Sequence, residues 1–207
     1  MHTTIQPNIL YFGTSVVLIS TRNENGTANL APMSSAWWLN QSCMLGMSAK
    51  SQTVYNLQRE RECVLNLPST DLIPAIERLT LLTGRNPVPK SKASRGYRFE
   101  ADKFGVAGLT PETSQLVRAP RVRECPVQLE AEVVRIHPFE EPSSLVAIEA
   151  KITRVHVDER LLMNGHPNYI DPAKWKPMIM NFCEYFGLGT QLSSSRLAPV
   201  FGPKAKE

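Results

Sequence analysis

The stretch Val127-Gln-Leu-Glu-Ala-Glu-Val-Val-Arg-Ile136 decides the fold. Its apolar residues occupy odd positions as far as Val133 and then move to the even positions Val134 and Ile136. Alternation with a period of two is typical of a β-strand with one buried face. A shift of phase inside such a strand indicates one extra residue, a β-bulge.

A second long segment repeats this pattern. Its apolar residues fall on even positions from Val146 to Ile152 and then on odd positions at Val155 and Val157. One shift of phase would also fit a strand end, but two similar shifts favour bulges. Because long bulged strands in succession are expected where a sheet curls, the pattern predicts a β-barrel.

Shorter elements are predicted nearer the N-terminus. Apolar β-branched runs indicate strands, Asn-Gly indicates a tight turn, and apolar residues three or four apart indicate helices. The predicted strands are 16–21, 28–31, 43–47 and 64–67, with a turn at 23–26. The predicted helices are 53–61, with Thr53 as a possible cap, and 71–82, capped by Asp71.

The composition is that of one folded domain. The chain has 207 residues, of which 42% are hydrophobic and 20% charged. Its 16 prolines favour short strands and ordered loops, because proline interrupts helices and central strands. A net charge of +4 suits a protein that binds small anions, whereas nucleic-acid binders usually concentrate more positive charge.

The sequence predicts a cytoplasmic protein. Residues 1–8 are polar, and the apolar stretch 9–19 is too short to span a bilayer, so neither a signal peptide nor a membrane partner is expected. Widely spaced cysteines are typical of buried, reduced side chains in a reducing compartment. They are Cys43, Cys63, Cys125 and Cys183.

The chain changes character after Asp158. A turn at 164–167 precedes a segment from Asp171 that is rich in Trp, Met, Phe and Tyr. This apolar density exceeds what a solvated tail needs. The segment is predicted to pack either on the barrel or on a second subunit.

The segment Asn29-Leu-Ala-Pro-Met-Ser-Ser-Ala-Trp-Trp38 suggests a site for a planar heteroaromatic ring. Small residues allow close backbone approach, hydroxyls bind a polar edge, and aromatic side chains cover a ring face. The same residues are also compatible with a core that has a polar edge. The segment is therefore interpreted either as a ring-binding site or as part of the core.

The segment Ser48-Ala-Lys-Ser-Gln-Thr53 suggests an anion site. It comes directly before a predicted helix, whose free backbone N–H groups would act together with hydroxyls and one ammonium group. A plain helix cap is the alternative. If a short strand at 43–47 separates the two segments, the ring site and the anion site can face one pocket.

Other polar clusters are less specific. The basic region 84–98 either attracts the phosphates of a nicotinamide cofactor or is a solvated loop, and Arg118, Arg121 and Arg123 allow the same two interpretations. The histidines are too scattered to predict a metal site. Gly187-Leu-Gly189 lacks the third glycine of a dinucleotide fingerprint and is interpreted as a turn.

The order and spacing of these segments resemble the flavin reductase-like, FMN-binding split-barrel family. The resemblance covers most of residues 9–157, including Asn56, the stretch from Val64 to Pro68 and, more weakly, Lys103-Phe-Gly-Val-Ala-Gly-Leu-Thr110. It implies a mainly β fold with peripheral helices, a six-stranded split β-barrel. Residues 1–160 would form the barrel and 161–207 a C-terminal extension, longer than in short reductases.

The resemblance also implies a homodimer with FMN at the subunit interface and the site residues. Asn29, Ala31, Ser34 and Ser35 would line the isoalloxazine edge, and Trp37 and Trp38 would flank the ring. The phosphate would be held by Ser48, Lys50, Ser51 and Thr53.

Two functions follow from this resemblance. The first is an NAD(P)H-dependent reductase that passes hydride through FMN to a flavin or another small-molecule acceptor. The second is an FMN-holding electron carrier or binding module without nicotinamide turnover. A nucleic-acid module is disfavoured, because aromatic and basic residues are segregated along the chain rather than interleaved.

Overall fold

The structure, a computed structural model, describes residues 1–140 and 144–202. It is mainly β with short peripheral helices, as predicted. The strands are β1 (Phe12–Ser15), β2 (Val17–Arg22), β3 (Ala28–Met33), β4 (Ala36–Leu39), β5 (Ser42–Ser48), β6 (Glu62–Leu67), β7 (Leu82–Thr83), β8 (Arg98–Phe99), β9 (Pro111–Glu112), β10 (Arg121–Val122), β11 (Val127–Phe139), β12 (Leu145–Val157), β13 (Leu162–Met163), β14 (His166–Ile170), β15 (Ile179–Asn181) and β16 (Glu184–Phe186). The helices are α1 (Gln52–Glu60), α2 (Ile73–Leu79), α3 (Lys90–Ala93), α4 (Lys103–Ala107) and α5 (Ala198–Phe201), with 3₁₀ turns at Thr70–Leu72 and Glu159–Leu161.

The main sheet has seven strands in the order β3-β2-β6-β11-β12-β5-β4, and all its pairings are antiparallel. The expected number of six is therefore wrong by one strand. The additional strand is β4, because Ser34 and Ser35 interrupt β3 and the chain then pairs again with β5.

Both predicted bulges are confirmed. The register between β11 and β12 skips Val134 on β11 and Thr153 on β12. These are the places where the apolar phase shifts in the sequence. Because an extra residue bends a strand, both long strands can curl around a shared interior.

The barrel interior is one hydrophobic cluster to which most strands of the main sheet contribute. α1 closes it with Val54 and Leu57, which are both fully buried. Representative members from the strands are Val17, Ile19, Leu45, Leu65, Leu129, Ile148 and Ala150.

A second cluster covers the outside of the β2–β3 hairpin. Leu18 and Leu30 meet residues of α2 and α4 there, together with the fully buried Met178 of the C-terminal segment. β15 also pairs with β1. The C-terminal segment therefore packs in part on the chain's own barrel. Residues 203–207 of the expected extension lie outside the described residues.

The two main helices differ in detail from their predicted bounds. α1 is capped by Ser51 rather than Thr53, since the Ser51 Oγ accepts a hydrogen bond of 3.2 Å from the Val54 amide. α2 is shorter than expected. Asp71 lies in a 3₁₀ turn and does not cap it, and the helix ends before Leu81, which has a left-handed φ of 61°.

No helix within residues 1–140 and 144–202 is long and apolar enough to cross a membrane.

Candidate functional site

A cavity of about 1160 Å³ lies between the β3–β5 region, the first turn of α1 and the chain ends, and we call it the large cavity. Seven of the ten residues predicted to bind a cofactor line it. They are Ala31, Ser34, Ser35, Trp37, Ser48, Ser51 and Thr53. The segments Asn29–Trp38 and Ser48–Thr53 therefore face one cavity, as expected.

Close backbone approach occurs where β5 passes the end of β3. The Gly46 amide donates to the Ser35 carbonyl at 2.8 Å, and a Cβ on Gly46 would lie 3.2 Å from Ser35 Cβ. A larger residue at 46 would therefore require Ser35 to shift. The backbones of β5 and the Ser34–Ser35 segment are thus closely packed in this wall of the cavity.

The two tryptophans point to opposite sides. Trp37 lines the cavity and is 56% exposed, whereas Trp38 packs against the barrel core. The expectation that both face the ring site is therefore not met, because Trp38 does not line the large cavity. The reason is the alternation of neighbouring side chains along a strand, here β4.

The turn before α1 offers hydroxyl groups to the cavity. The Ser51 amide donates to the Ser48 carbonyl at 3.0 Å, which tightens the turn. The Lys50 side chain is exposed and does not line the cavity, although Lys50 belongs to the same turn. The hydroxyls are thus in place, and the ammonium group lies outside.

Asn29 lies beneath the cavity rather than in its lining. Its side-chain nitrogen donates to the hydroxyls of Thr21 at 3.2 Å and Thr53 at 3.3 Å. Its side-chain oxygen accepts from Lys103 Nζ at 3.0 Å. Asn29 therefore joins the first turn of α1 to a cation on α4.

Lys103 is the most unusual charged group of the large cavity. It lines the cavity yet is only 4% exposed, and its ammonium group has one neutral acceptor, Asn29, within the described residues. Burial, followed by the positive charge of Lys92, lowers the pKa of Lys103 to about 8. The Glu100 carboxylate acts in the opposite direction but forms no ion pair with Lys103 within the described residues. A buried ammonium without an ion pair is costly, so the site favours an anionic ligand.

A glycine allows the loop after β7 to approach this network. A Cβ on Gly84 would lie 2.7 Å from Asn29 Oδ1 and 3.0 Å from Gln52 Cγ. Any side chain at 84 would therefore displace the Asn29 amide. The adjacent Arg85 stacks on Tyr55, with its guanidinium carbon 4.2 Å from the ring centroid.

The basic region 84–98 is divided by the fold. Lys92, Arg95 and Tyr97 line the large cavity. Lys90 and Arg98 are exposed and do not line it. Lys92 and Tyr97 are half-buried at the cavity, and Arg95 lines the cavity while remaining exposed.

Strand β1 and the hairpin of β15 and β16 form one side of the cavity. β1 pairs with β15, and β15 continues into β16 through a two-residue turn at Phe182 and Cys183, with φ values of 49° and 67°. Both values are left-handed, as a type I′ hairpin turn requires. Cys183 and Tyr185 thereby line the cavity together with Tyr11.

A second cavity of about 740 Å³, the small cavity, is lined by a different set of charged residues. Its Arg121 donates to Gln128 at 2.7 Å and pairs with Glu112 at 3.1 Å. Arg160 pairs with Asp158. These charges are paired with neighbours of opposite charge or with polar groups.

Behind the small cavity, the fully buried Glu130 is held by an extensive set of donors. It accepts backbone bonds from Gln115 at 2.8 Å, Leu116 at 2.6 Å and Val117 at 3.1 Å, and it contacts His156 Nε2 at 2.6 Å. Burial opposes its ionisation, but these bonds prevail and hold the pKa of Glu130 below its usual range.

Sequence reasoning missed Lys103, Gly84, Cys183 and Tyr185 as cavity residues. A lone lysine beside Phe104 and Ala107 is the one local signal, because it interrupts an otherwise apolar helix face. The hairpin residues reach the cavity only through the pairing of β15 with β1, about 165 positions away. No local pattern indicates such a pairing.

Solved structures place this fold in a known class. Flavoredoxin of Desulfovibrio vulgaris (Miyazaki F) superposes with a TM-score of 0.78 at 21% identity, covering 96% of this chain and 99% of that one. Nitrilotriacetate monooxygenase component B from Bacillus cereus gives 0.73 at 19% identity, covering 94% and 99%. A protein of Shewanella frigidimarina NCIMB 400 with a split barrel domain gives 0.68 at 19% identity, covering 88% and 85%. The predicted split-barrel class is confirmed.

The family follows from sequence. The model of the flavin reductase like domain matches residues 9–176, and the chain belongs to the flavin reductase-like family. A protein of Bacillus subtilis (strain 168), "Uncharacterized protein YdfE", is 40% identical over 191 residues, covering 92% of this chain and 91% of the relative. The suspected family is therefore confirmed.

Proposed function

We propose that this protein binds FMN in the large cavity and uses it to pass hydride from NAD(P)H to a small-molecule acceptor. The observation that carries the proposal is Lys103, a buried cation with one neutral acceptor, in a cavity that also has a hydroxyl-bearing turn and a small-residue wall. A planar ligand with a phosphate fits all three features. The family and the flavoredoxin-like fold support a flavin in particular.

The residues divide into two groups for this ligand. The ring system would be contacted by Ala31, Ser34, Ser35 and Trp37. Asn29, which lies beneath the cavity, would support the polar edge of the ring. Ser48, Ser51 and Thr53 would bind the phosphate at the first turn of α1, a nine-residue helix, and Lys50 would add charge from the same turn. Trp38 would support the wall from the core.

A flavin held in this cavity would supply the redox chemistry, which is acceptance of a hydride with negative charge developing near N1 and O2. Lys103 is the cation that we expect to stabilise that charge, because it lines the cavity and is shielded from water. The Ser34 and Ser35 hydroxyls would donate to the same edge. No general base is needed for a hydride step, which is consistent with a site built mainly from donors.

A homodimer in the cytoplasm completes the proposal. Trp37 and Leu39 expose 56% and 67% of their surface on β4, which is an edge strand of the main sheet. Exposed apolar side chains on an edge strand favour pairing with another chain. All four cysteines are free thiols, which suits a reducing compartment.

The test is an absorbance spectrum of the purified protein, followed by anaerobic addition of NADH and then NADPH. Flavin bands that bleach rapidly with either nucleotide support the reductase. Bands that persist favour the electron carrier or binding module instead. If no flavin copurifies and added FMN does not bind, the proposed function is wrong.

A further inference from the structure

Helix α3 and the turn that follows it present two cations and an aromatic ring to the large cavity, and we call Lys92, Arg95 and Tyr97 the basic wall. The Arg95 and Tyr97 amides both donate to the Lys92 carbonyl, at 3.0 and 3.1 Å. The Lys92 ammonium lies 5.2 Å from the Tyr97 ring centroid. Backbone bonds thus hold the three residues together as one unit.

The cations of the basic wall have no anionic partner among the described residues. Neither Lys92 nor Arg95 forms an ion pair or a side-chain hydrogen bond in the described part of the chain. Glu77 is the sole carboxylate among the described lining residues, and its side chain bonds with Tyr185 and Thr80. The cavity therefore holds an excess of positive charge.

The surroundings of the basic wall strengthen this excess. Lys92 is half-buried, and desolvation lowers its pKa. Lys92 also lies close enough to Lys103 to lower the pKa of that group. Lys92 and Lys103 therefore repel each other in a partly desolvated site, and neither forms an ion pair within the described residues. Such a pair of cations attracts a small anion.

The large cavity extends from the α1 turn to the basic wall. Its volume of about 1160 Å³ exceeds the roughly 300–1,000 Å³ that a single small-molecule site usually occupies. The hydroxyls of the α1 turn and the basic wall lie on different elements. The hydroxyls of the α1 turn can hold the phosphate of a flavin while the basic wall binds a second molecule.

We propose that the basic wall is the subsite for an anionic group, a phosphate or a carboxylate, of the co-substrate that exchanges electrons with the flavin. This inference rests on the proposed function. Lys92 and Arg95 bind the anion, and Tyr97 packs against the apolar part of the same molecule. The co-substrate is consequently an anionic small molecule and not a neutral one.

The experiment compares two double variants of equal charge. Lys92→Gln/Arg95→Gln removes the basic wall, and Lys90→Gln/Arg98→Gln removes two exposed cations of the same region that do not line the cavity. FMN affinity is measured first for all three proteins. The FMN-loaded proteins are then titrated by calorimetry with NADP⁺, a phosphate source, and with benzoate, a carboxylate source.

The wall variant should keep its FMN affinity within about threefold of wild type and lose about tenfold or more in affinity for one of the two probes. The matched variant should change little. Binding of NADP⁺ identifies phosphate, and binding of benzoate identifies carboxylate. The inference is overturned if neither probe binds wild type, or if both variants weaken binding equally.

Two further outcomes separate this inference from the proposed function. If the wall variant loses FMN itself, the basic wall holds the phosphate of the flavin and the co-substrate subsite is refuted. If wild type does not bind FMN, the proposed function fails at the first step, and the inference falls with it.

Discussion

The small cavity and the large cavity differ in how a buried charge at each of them is satisfied. In the small cavity, Arg121 bonds with Gln128 and Glu112, and Glu130 behind it has three backbone donors and His156. In the large cavity, Lys103 has one neutral acceptor. Satisfied buried charges rigidify a structure, whereas unsatisfied ones raise its free energy until a ligand arrives. We therefore expect a structural role for the charges at the small cavity, and the binding role that we propose for the large cavity is consistent with its unpaired cation.

The largest expected effect is on stability at the small cavity. Glu130→Ala should lower the free energy of unfolding by about 3–5 kcal/mol, because three backbone donors and His156 lose their acceptor in the interior. Urea denaturation followed by circular dichroism measures this change. Glu132→Ala, an exposed position on the same strand, should stay within about 0.5 kcal/mol. Equal effects at the two positions would remove the structural role of the small cavity.

Lys103→Met should change FMN affinity strongly and stability little, in contrast to Glu130→Ala. Removal of an unpaired buried charge should leave the free energy of unfolding unchanged within about 1 kcal/mol or raise it. FMN affinity should fall about tenfold or more, because the ligand loses its buried cation. Denaturation and FMN titration of the same preparation test both effects. A strongly destabilised variant with unchanged FMN affinity would make Lys103 a structural residue.

Much of this contrast depends on contacts that local sequence does not encode. The β2–β3 hairpin and the bulges at Val134 and Thr153 were predictable, because turn chemistry and alternation are local. The α1 turn was located as well, although Ser51 takes the capping role expected of Thr53. Whether a lysine is buried without a partner depends instead on which distant elements surround it.

The end of α2 shows how tertiary context overrides a helical pattern. The apolar residues Leu81 and Leu82 extend the helical spacing, so the helix was expected to include them. Leu82 instead pairs with Arg98 in a short parallel ladder, and Leu81 turns the chain with a left-handed φ. Helical propensity is a weak prior where a strand partner and a core position are available.

The pH dependence of stability should sharpen the assignment of Lys103. Its pKa is about 8 in the folded protein and near 10.5 when unfolded. Below pH 8 both states are protonated and the cost of the buried charge is complete. Between pH 8 and 10.5 the folded state releases its proton first, so stability rises.

Relative to Lys103→Met, the wild-type free energy of unfolding should therefore increase by roughly 1–3 kcal/mol from pH 7 to pH 10. Paired denaturation curves at several pH values measure the difference. A constant difference would show that Lys103 titrates normally and is not desolvated.

The smallest expected effect concerns the thiols. One thiol of the native protein should react readily with a disulfide reagent, because Cys183 is exposed while Cys43, Cys63 and Cys125 are buried. Burial raises the pKa of Cys43 to about 12 and also raises the pKa of Cys63 and Cys125, which suppresses their thiolates. FMN should slow the reaction several-fold, since Cys183 lines the large cavity.

Cys183→Ser serves as the control for this experiment and should remove the rapid phase of thiol titration. If FMN leaves the rate for wild type unchanged, the hairpin of β15 and β16 does not contact the bound ligand. The large cavity would then bind FMN without its C-terminal side.

The most direct test of the central claim is a titration of the purified apoprotein with FMN, followed by the fluorescence of the flavin. We expect saturable binding of one FMN per chain, weakened about tenfold or more in Lys103→Met and unchanged in Glu132→Ala. Absence of saturable binding to wild type, or equal affinity in wild type and Lys103→Met, would contradict the assignment of the large cavity as a flavin site that depends on its buried cation.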